Sequence, residues 1–134
     1  MSLRSPTYAS LACALALCVS SCGRQDAQFQ DHQRSFESLG STTSAITDAW
    51  LAGNVSGTYA GTALEQTFLL VEQERTSLAA TPQALHDRRG AYLSQAAERL
   101  SRVIADLSAD VRNADGAAAR LHLAQIPIAP RSQP

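Results

Sequence analysis

Apolar residues between positions 29 and 125 recur in steps of three and four, the signature of helices that bury one face. Phe29, His32, Phe36, Leu39, Thr43, Ile46 and Trp50 form the first stripe. Gly53-Asn54, residues that tolerate positive φ, end it. Leu64, Phe68, Val71 and Leu78 form a second stripe. Its start has two readings. Thr62 with Glu65 three residues on has the form of a capping box, whereas Val55 and Tyr59 favour a beginning near Asn54 or Ser56. Thr81-Pro82 is expected to close this helix and open the third, with Thr81 as N-cap and Pro82 in the first helical position.

The third helix has the most regular pattern: Leu85, Tyr92, Ala96, Leu100, Val103, Leu107, Val111 and Ala114 trace its apolar face, and Glu98 with Arg102 forms an i,i+4 pair on the solvent side. Asn113-Ala114-Asp115-Gly116 breaks it, and Ala117–Gln125 suits a short fourth helix. Ile126-Pro127-Ile128-Ala129-Pro130 favours extended backbone, because each proline lacks an N–H and restricts the residue before it. Alternation of period two is absent, so no strand competes. At 1.5 Å per residue the first two helices would be roughly 35 Å long and the third roughly 45 Å. Short connections between helices of similar length imply antiparallel neighbours. The expected fold is all-α: an antiparallel up-down-up three-helix bundle at 29–125, a short C-terminal helix included, and an extended tail at 126–134.

The first 22 residues follow a different pattern. Arg4 stands near the start, an apolar run covers Tyr8 to Val19, and Ser20 and Ser21 precede Cys22. A positive front end, an apolar middle and small residues at a cleavage point make the layout of a secretory signal. About twelve apolar residues are too few to span a hydrocarbon core that needs roughly 20. Val19-Ser20-Ser21-Cys22 resembles the lipobox of bacterial lipoproteins, whose cysteine is acylated and becomes the new N-terminus. The resemblance covers residues 1–22 only. It implies a signal peptide at 1–21, a lipidated Cys22 and a membrane anchor, with Gly23–Gln28 as a polar tether. Gly23 after the cysteine, rather than Asp, resembles the class sorted to the outer membrane. A secretory signal cut before Cys22 with no lipid added is the competing reading.

Cysteine usage fits that expectation. Cys13 and Cys18 lie inside the apolar run and would leave with the signal, so the mature chain keeps only Cys22. Neither a disulfide framework nor a Cys-based metal site then remains. Eleven basic residues face twelve acidic ones, so no long-range field points to nucleic acid. All eleven are arginine.

Few side chains carry recognisable chemistry. His32 and His86 are expected near one end of the bundle, with Glu72, Glu74 or Asp87 close by, and imidazole with carboxylate suits zinc or copper. Neither histidine belongs to a two-ligand helical spacing, so the plainer reading makes His32 a boundary residue and His86 a solvated one, with no metal. No cofactor is expected. Gly53, Gly57 and Gly61 recur every four residues: inside a helix they would form a smooth contact face, and in a turn they would cap and loosen it. With Trp50 and Tyr59 they form the candidate partner face, although both aromatics also suit the core. Arg24, Arg34, Arg75, Arg88 and Arg89 share their region with as many carboxylates and read as mixed surface. No nucleophile elbow, phosphate-cradling loop or histidine beside a nucleophile occurs, so catalysis is not expected.

The expectation is a non-catalytic, lipid-anchored bundle of the bacterial envelope, facing the periplasm, that binds another envelope protein as adaptor, accessory subunit or inhibitor. The alternative is a periplasmic bundle that senses or buffers a small ligand or metal. A pocket containing His32 and His86 would favour the alternative, and a contiguous apolar surface the interaction module.

Overall fold

The computed structural model describes residues 7–81, 84 and 86–126, with side chains from residue 23 onward. Pro82, Leu85, the side chain of Cys22 and the tail after Ile126 lie outside the described residues, and with them the signal and lipidation expectations. The architecture is all-α. Helix α1 covers Thr7–Leu51, α2 Gly57–Ala79, α3 Arg88–Arg112 and α4 Gly116–Leu123. Among the described residues no helix is long and apolar enough to cross a membrane.

The chain divides into two compact units, Met1–Asp31 and His32–Pro134. In the first unit, Gly23–Gln28, expected as a tether, has helical backbone and largely exposed side chains, and Phe29 is buried.

In the second unit, the inward line of α1 is His32, Phe36, Gly40, Thr43 and Thr47. Leu39, Ile46 and Trp50 are half-buried flanks. Gly40 matters because it sits against two neighbours: a β-carbon there would lie 3.5 Å from Ile126 Cγ2 and 3.9 Å from Leu100 Cδ1. Thr43 and Thr47 are fully buried at no cost in unmet polarity, because each hydroxyl donates to the carbonyl four residues back, of Leu39 and Thr43, at 2.9 Å.

Ser56 settles where α2 begins. Its Oγ accepts from the backbone N–H of Tyr59, so the helix starts before the Thr62–Glu65 pair. Gly53, at φ +76°, lets Asn54 N–H reach back to the Ala49 carbonyl and close α1. Ala60, Leu64, Thr67, Val71 and Leu78 are the buried line of α2, and Phe68 is half-buried.

The junction between α2 and α3 departs from expectation. Thr81 is not the cap of α3: its hydroxyl donates back to the Ser77 carbonyl and its N–H to that of Leu78, which ends α2 instead. Asp87 is the N-cap, its carboxylate accepting from Arg89 N–H at 2.9 Å. A carboxylate at a helix N-terminus meets both the free N–H groups and the positive end of the helix dipole, which Thr81 cannot match. Helix α3 is therefore 25 residues, about 37 Å rather than about 45 Å. Gly90 makes room for the junction: a β-carbon there would sit 2.8 Å from Ala84 Cα and collide with the Ala84 carbonyl.

The core line of α3 is Leu93, Ala97, Leu100, Val103, Ile104, Leu107 and Val111. Tyr92, expected inward, is exposed, because the line passes through Leu93 instead. Ala114, also expected inward, lies beyond the helix end, exposed and at φ +53° in the turn, where Asp115 N–H bonds to the Asp110 carbonyl. Asp115 then caps α4 through Ala118 N–H, and Ala119 and Ile126 are buried.

Candidate functional site

The outward side of α2 is the unusual surface of the second unit. Every residue of this helix is described, and Glu65 is the only charged residue among its exposed positions. The others are threonine, serine, alanine, glutamine, Tyr59, Leu69 and Leu70. Leu69 is 63% and Leu70 52% exposed, side by side in mid-helix. Such a pair does not follow from the fold, since the inward line is already complete with Leu64, Val71 and Leu78.

Beside Leu69 runs a groove between α2 and α3, with a volume of about 380 Å³. Phe68, Leu69, Ala105 and Ser108 line it, and Glu65 and Arg112 flank it. Those two charges face each other at 3.5 Å, with both side chains well exposed, so the pair closes the rim without adding much stability.

The carboxylates of α2 are all engaged within the chain. Glu74 Oε1 accepts from His32 Nδ1 at 2.6 Å, tying α2 to α1. Glu72 accepts from Ser101 of α3 and from Arg75 at 2.7 Å, and the Ser101 hydroxyl, then Arg75, hold its carboxyl below the ordinary range. A second histidine–carboxylate pair fastens α4: His122 Nδ1 lies 2.6 Å from Asp110 Oδ2. The bond to Asp110 raises the His122 pKa above its ordinary value against a smaller desolvation effect, and the charges of Asp106 and Asp115 add to it.

The candidates read from the sequence fall in several places. His32 is buried in its pair with Glu74, whereas His86 is exposed in the connection before α3. Among the described residues no three His, Cys, Asp or Glu side chains converge on a metal-sized site. Gly57 and Gly61 look inward at α3: β-carbons there would lie 3.9 Å and 4.0 Å from Val111 Cγ1, and the Gly57 position also touches Trp50 Nε1 at 3.7 Å. Gly53 shapes the turn. Trp50 is half-buried, and Tyr59 alone of the five is both large and exposed. The close-approach face thus serves packing inside the chain, while the exposed apolar surface lies farther along α2. Leu69 and Leu70 escaped the sequence reading, although two leucines outside the inward stripe were the signal available.

No protein-family model, curated protein or solved structure matches the chain.

Proposed function

We propose that this protein is a non-catalytic, lipid-anchored interaction module of the bacterial envelope, held at the membrane through Cys22 and facing the periplasm from the outer membrane. The observation that carries the reading is the outward face of α2, which has a single exposed charge, Glu65, and Leu69 and Leu70 exposed at its centre. Protein contact surfaces are depleted in charge at their core, and a water-facing helix side with one charge suits that use. The location rests on the signal and lipobox pattern ending at Cys22.

The architecture we infer is up-down-up. Trp50 lies by Gly57 and His32 by Glu74, which supports α1 and α2 running in opposite directions. Gly61 lies by Val111 and Glu72 by Ser101, which supports the same for α2 and α3. In this arrangement α2 has its flanks on α1 and α3 and its outward face free for a partner. The protein acts as an adaptor, accessory subunit or inhibitor of another envelope protein.

Two measurements test this reading. Metabolic labelling with palmitate should mark the wild-type chain and not Cys22→Ser; equal labelling, or none, removes the anchor. Co-purification of the full-length chain should recover a partner that Leu69→Asp/Leu70→Asp loses while the variant stays folded by circular dichroism. Unchanged recovery would remove the α2 face. The competing reading, a small-ligand bundle, has the α2–α3 groove as its support, and a ligand that protects Phe68→Ala and wild type equally would not be using it.

A further inference from the structure

We infer that the groove between α2 and α3 binds an uncharged, largely apolar small molecule with one hydrogen-bonding group, which the Ser108 hydroxyl holds. This rests on the small-ligand reading of that groove and asks nothing of a partner on the outward face of α2.

Ser108 is the residue that points to a ligand. The other buried hydroxyls among the described residues are engaged within the chain. Thr43, Thr47 and Thr67 donate to the carbonyls of Leu39, Thr43 and Ala63, four residues back, and Ser101 donates to Glu72. Ser108 is as buried as Ser101, each 5% exposed, yet its hydroxyl has no hydrogen-bond partner among the described residues. A hydroxyl sealed from water in that state would be costly. It is not sealed: among the described residues no closed-off side-chain oxygen or nitrogen lacks a partner. The Ser108 oxygen is therefore reached from the groove that the residue lines.

The walls account for the space. Ala105, Ser108 and Arg112 follow one another at three and four residues along α3 and share one of its sides. Ala105 and Ser108 are small, whereas α2 presents Phe68 and Leu69 opposite them. Small against large leaves about 380 Å³, at the low end of the roughly 300 to 1,000 Å³ of small-molecule sites. Phe68, Leu69 and Ala105 offer an occupant only carbon, so its body is apolar. Ser108 adds one hydroxyl, both donor and acceptor. The rim decides the charge. Glu65 and Arg112 answer each other at 3.5 Å, so the lining is neutral in sum. An anion would meet Glu65 and a cation would meet Arg112, whereas an uncharged group disturbs neither.

Naphthol, naphthalene, naphthoate and naphthylmethylammonium test this, because they share one ring system and differ only in the group offered to Ser108 and the rim. Equilibrium dialysis of the purified full-length chain, with detergent alone as the blank, reads their binding. Naphthol should bind wild type more tightly than either ion. Ser108→Ala should weaken naphthol roughly two- to ten-fold, the worth of one neutral hydrogen bond, and leave naphthalene unchanged. Ala105→Leu fills the groove from an exposed position, so it spares the core, and should abolish binding of both. Tyr92→Ser, which removes an exposed aromatic of α3 outside the groove, should change neither. Circular dichroism checks that each variant keeps its helices.

Tighter binding of either ion than of naphthol overturns the uncharged class, and if Ala105→Leu still blocks that ion the groove remains a ligand site. Equal losses of naphthol and naphthalene in Ser108→Ala overturn the role of the hydroxyl. Binding that survives Ala105→Leu, or no binding to wild type, overturns the site and with it the small-ligand reading of the groove.

Discussion

Helices α2 and α3 are of nearly equal length, 23 and 25 residues, and each buries a continuous apolar line, yet their outward sides are opposite in kind. The exposed side of α3 carries Arg88, Arg89, Glu98, Arg99, Arg102, Asp106 and Arg112. That of α2 carries Glu65 and otherwise neutral residues, with Leu69 and Leu70 in the middle. Both helices meet the same demands of folding, so folding does not explain the difference. A water-facing helix gains solubility from charge, as α3 does, and a helix side that gives this up is a candidate contact surface. The inward lines are the chain's fold, and the outward line of α2 is its candidate for function.

The largest effect that sharpens this contrast is a cavity. Leu107→Ala in α3 should cost about 2 to 5 kcal/mol in denaturant unfolding, because Leu107 is fully buried and its truncation leaves a cavity. Leu70→Ala in α2 should change stability by less than about 0.5 kcal/mol. Similar losses at both would show that Leu70 is structural and break the comparison. Next comes Gly90→Ala. The new methyl meets the backbone of Ala84 rather than a movable side chain, so a loss of about 1 to 3 kcal/mol is expected, and a neutral result would remove the close approach at the α2–α3 junction.

What the sequence made legible follows from how local each cause is. Leu64, Val71, Leu78, Leu100, Val103, Leu107 and Val111 were readable as core, since one helix's periodicity names its own buried face. The break at Asn113-Ala114-Asp115-Gly116 was readable for the same reason. The cap of α3 was not, because Thr81-Pro82 and Asp87 are both plausible starts until the chain's route decides between them. Gly90 was illegible, since its neighbour Ala84 meets it only once the junction is folded. His32 with Glu74 and His122 with Asp110 each join two helices, and no spacing along one helix announces such a pair. Leu69 and Leu70 were visible, but a reading that seeks one stripe per helix passes over a second.

A smaller effect concerns the turn into α4. Ala114 has a left-handed backbone that costs an L-residue roughly 1 to 2 kcal/mol, part of which glycine returns as unfolded-state entropy. Ala114→Gly should therefore stabilise by about 0.5 to 1 kcal/mol in thermal unfolding, and a loss instead would contradict the turn. The smallest effect is one of pH. His122 has a raised pKa when folded, so its pair with Asp110 contributes fully below the ordinary value of 6.5 and fades as pH rises through the folded value. Unfolding midpoints of wild type should drift down across that window, while those of His122→Gln should not. Parallel drifts in both would remove His122 as the cause.

On the proposed function the α2 face, and not the charged face of α3, meets a partner. The direct measurement places a photo-crosslinking residue at position 70 or at position 102 of the full-length chain in cells. Defined protein adducts are expected from position 70 and none from position 102. Adducts from 102 alone, or equal smears from both, would contradict it.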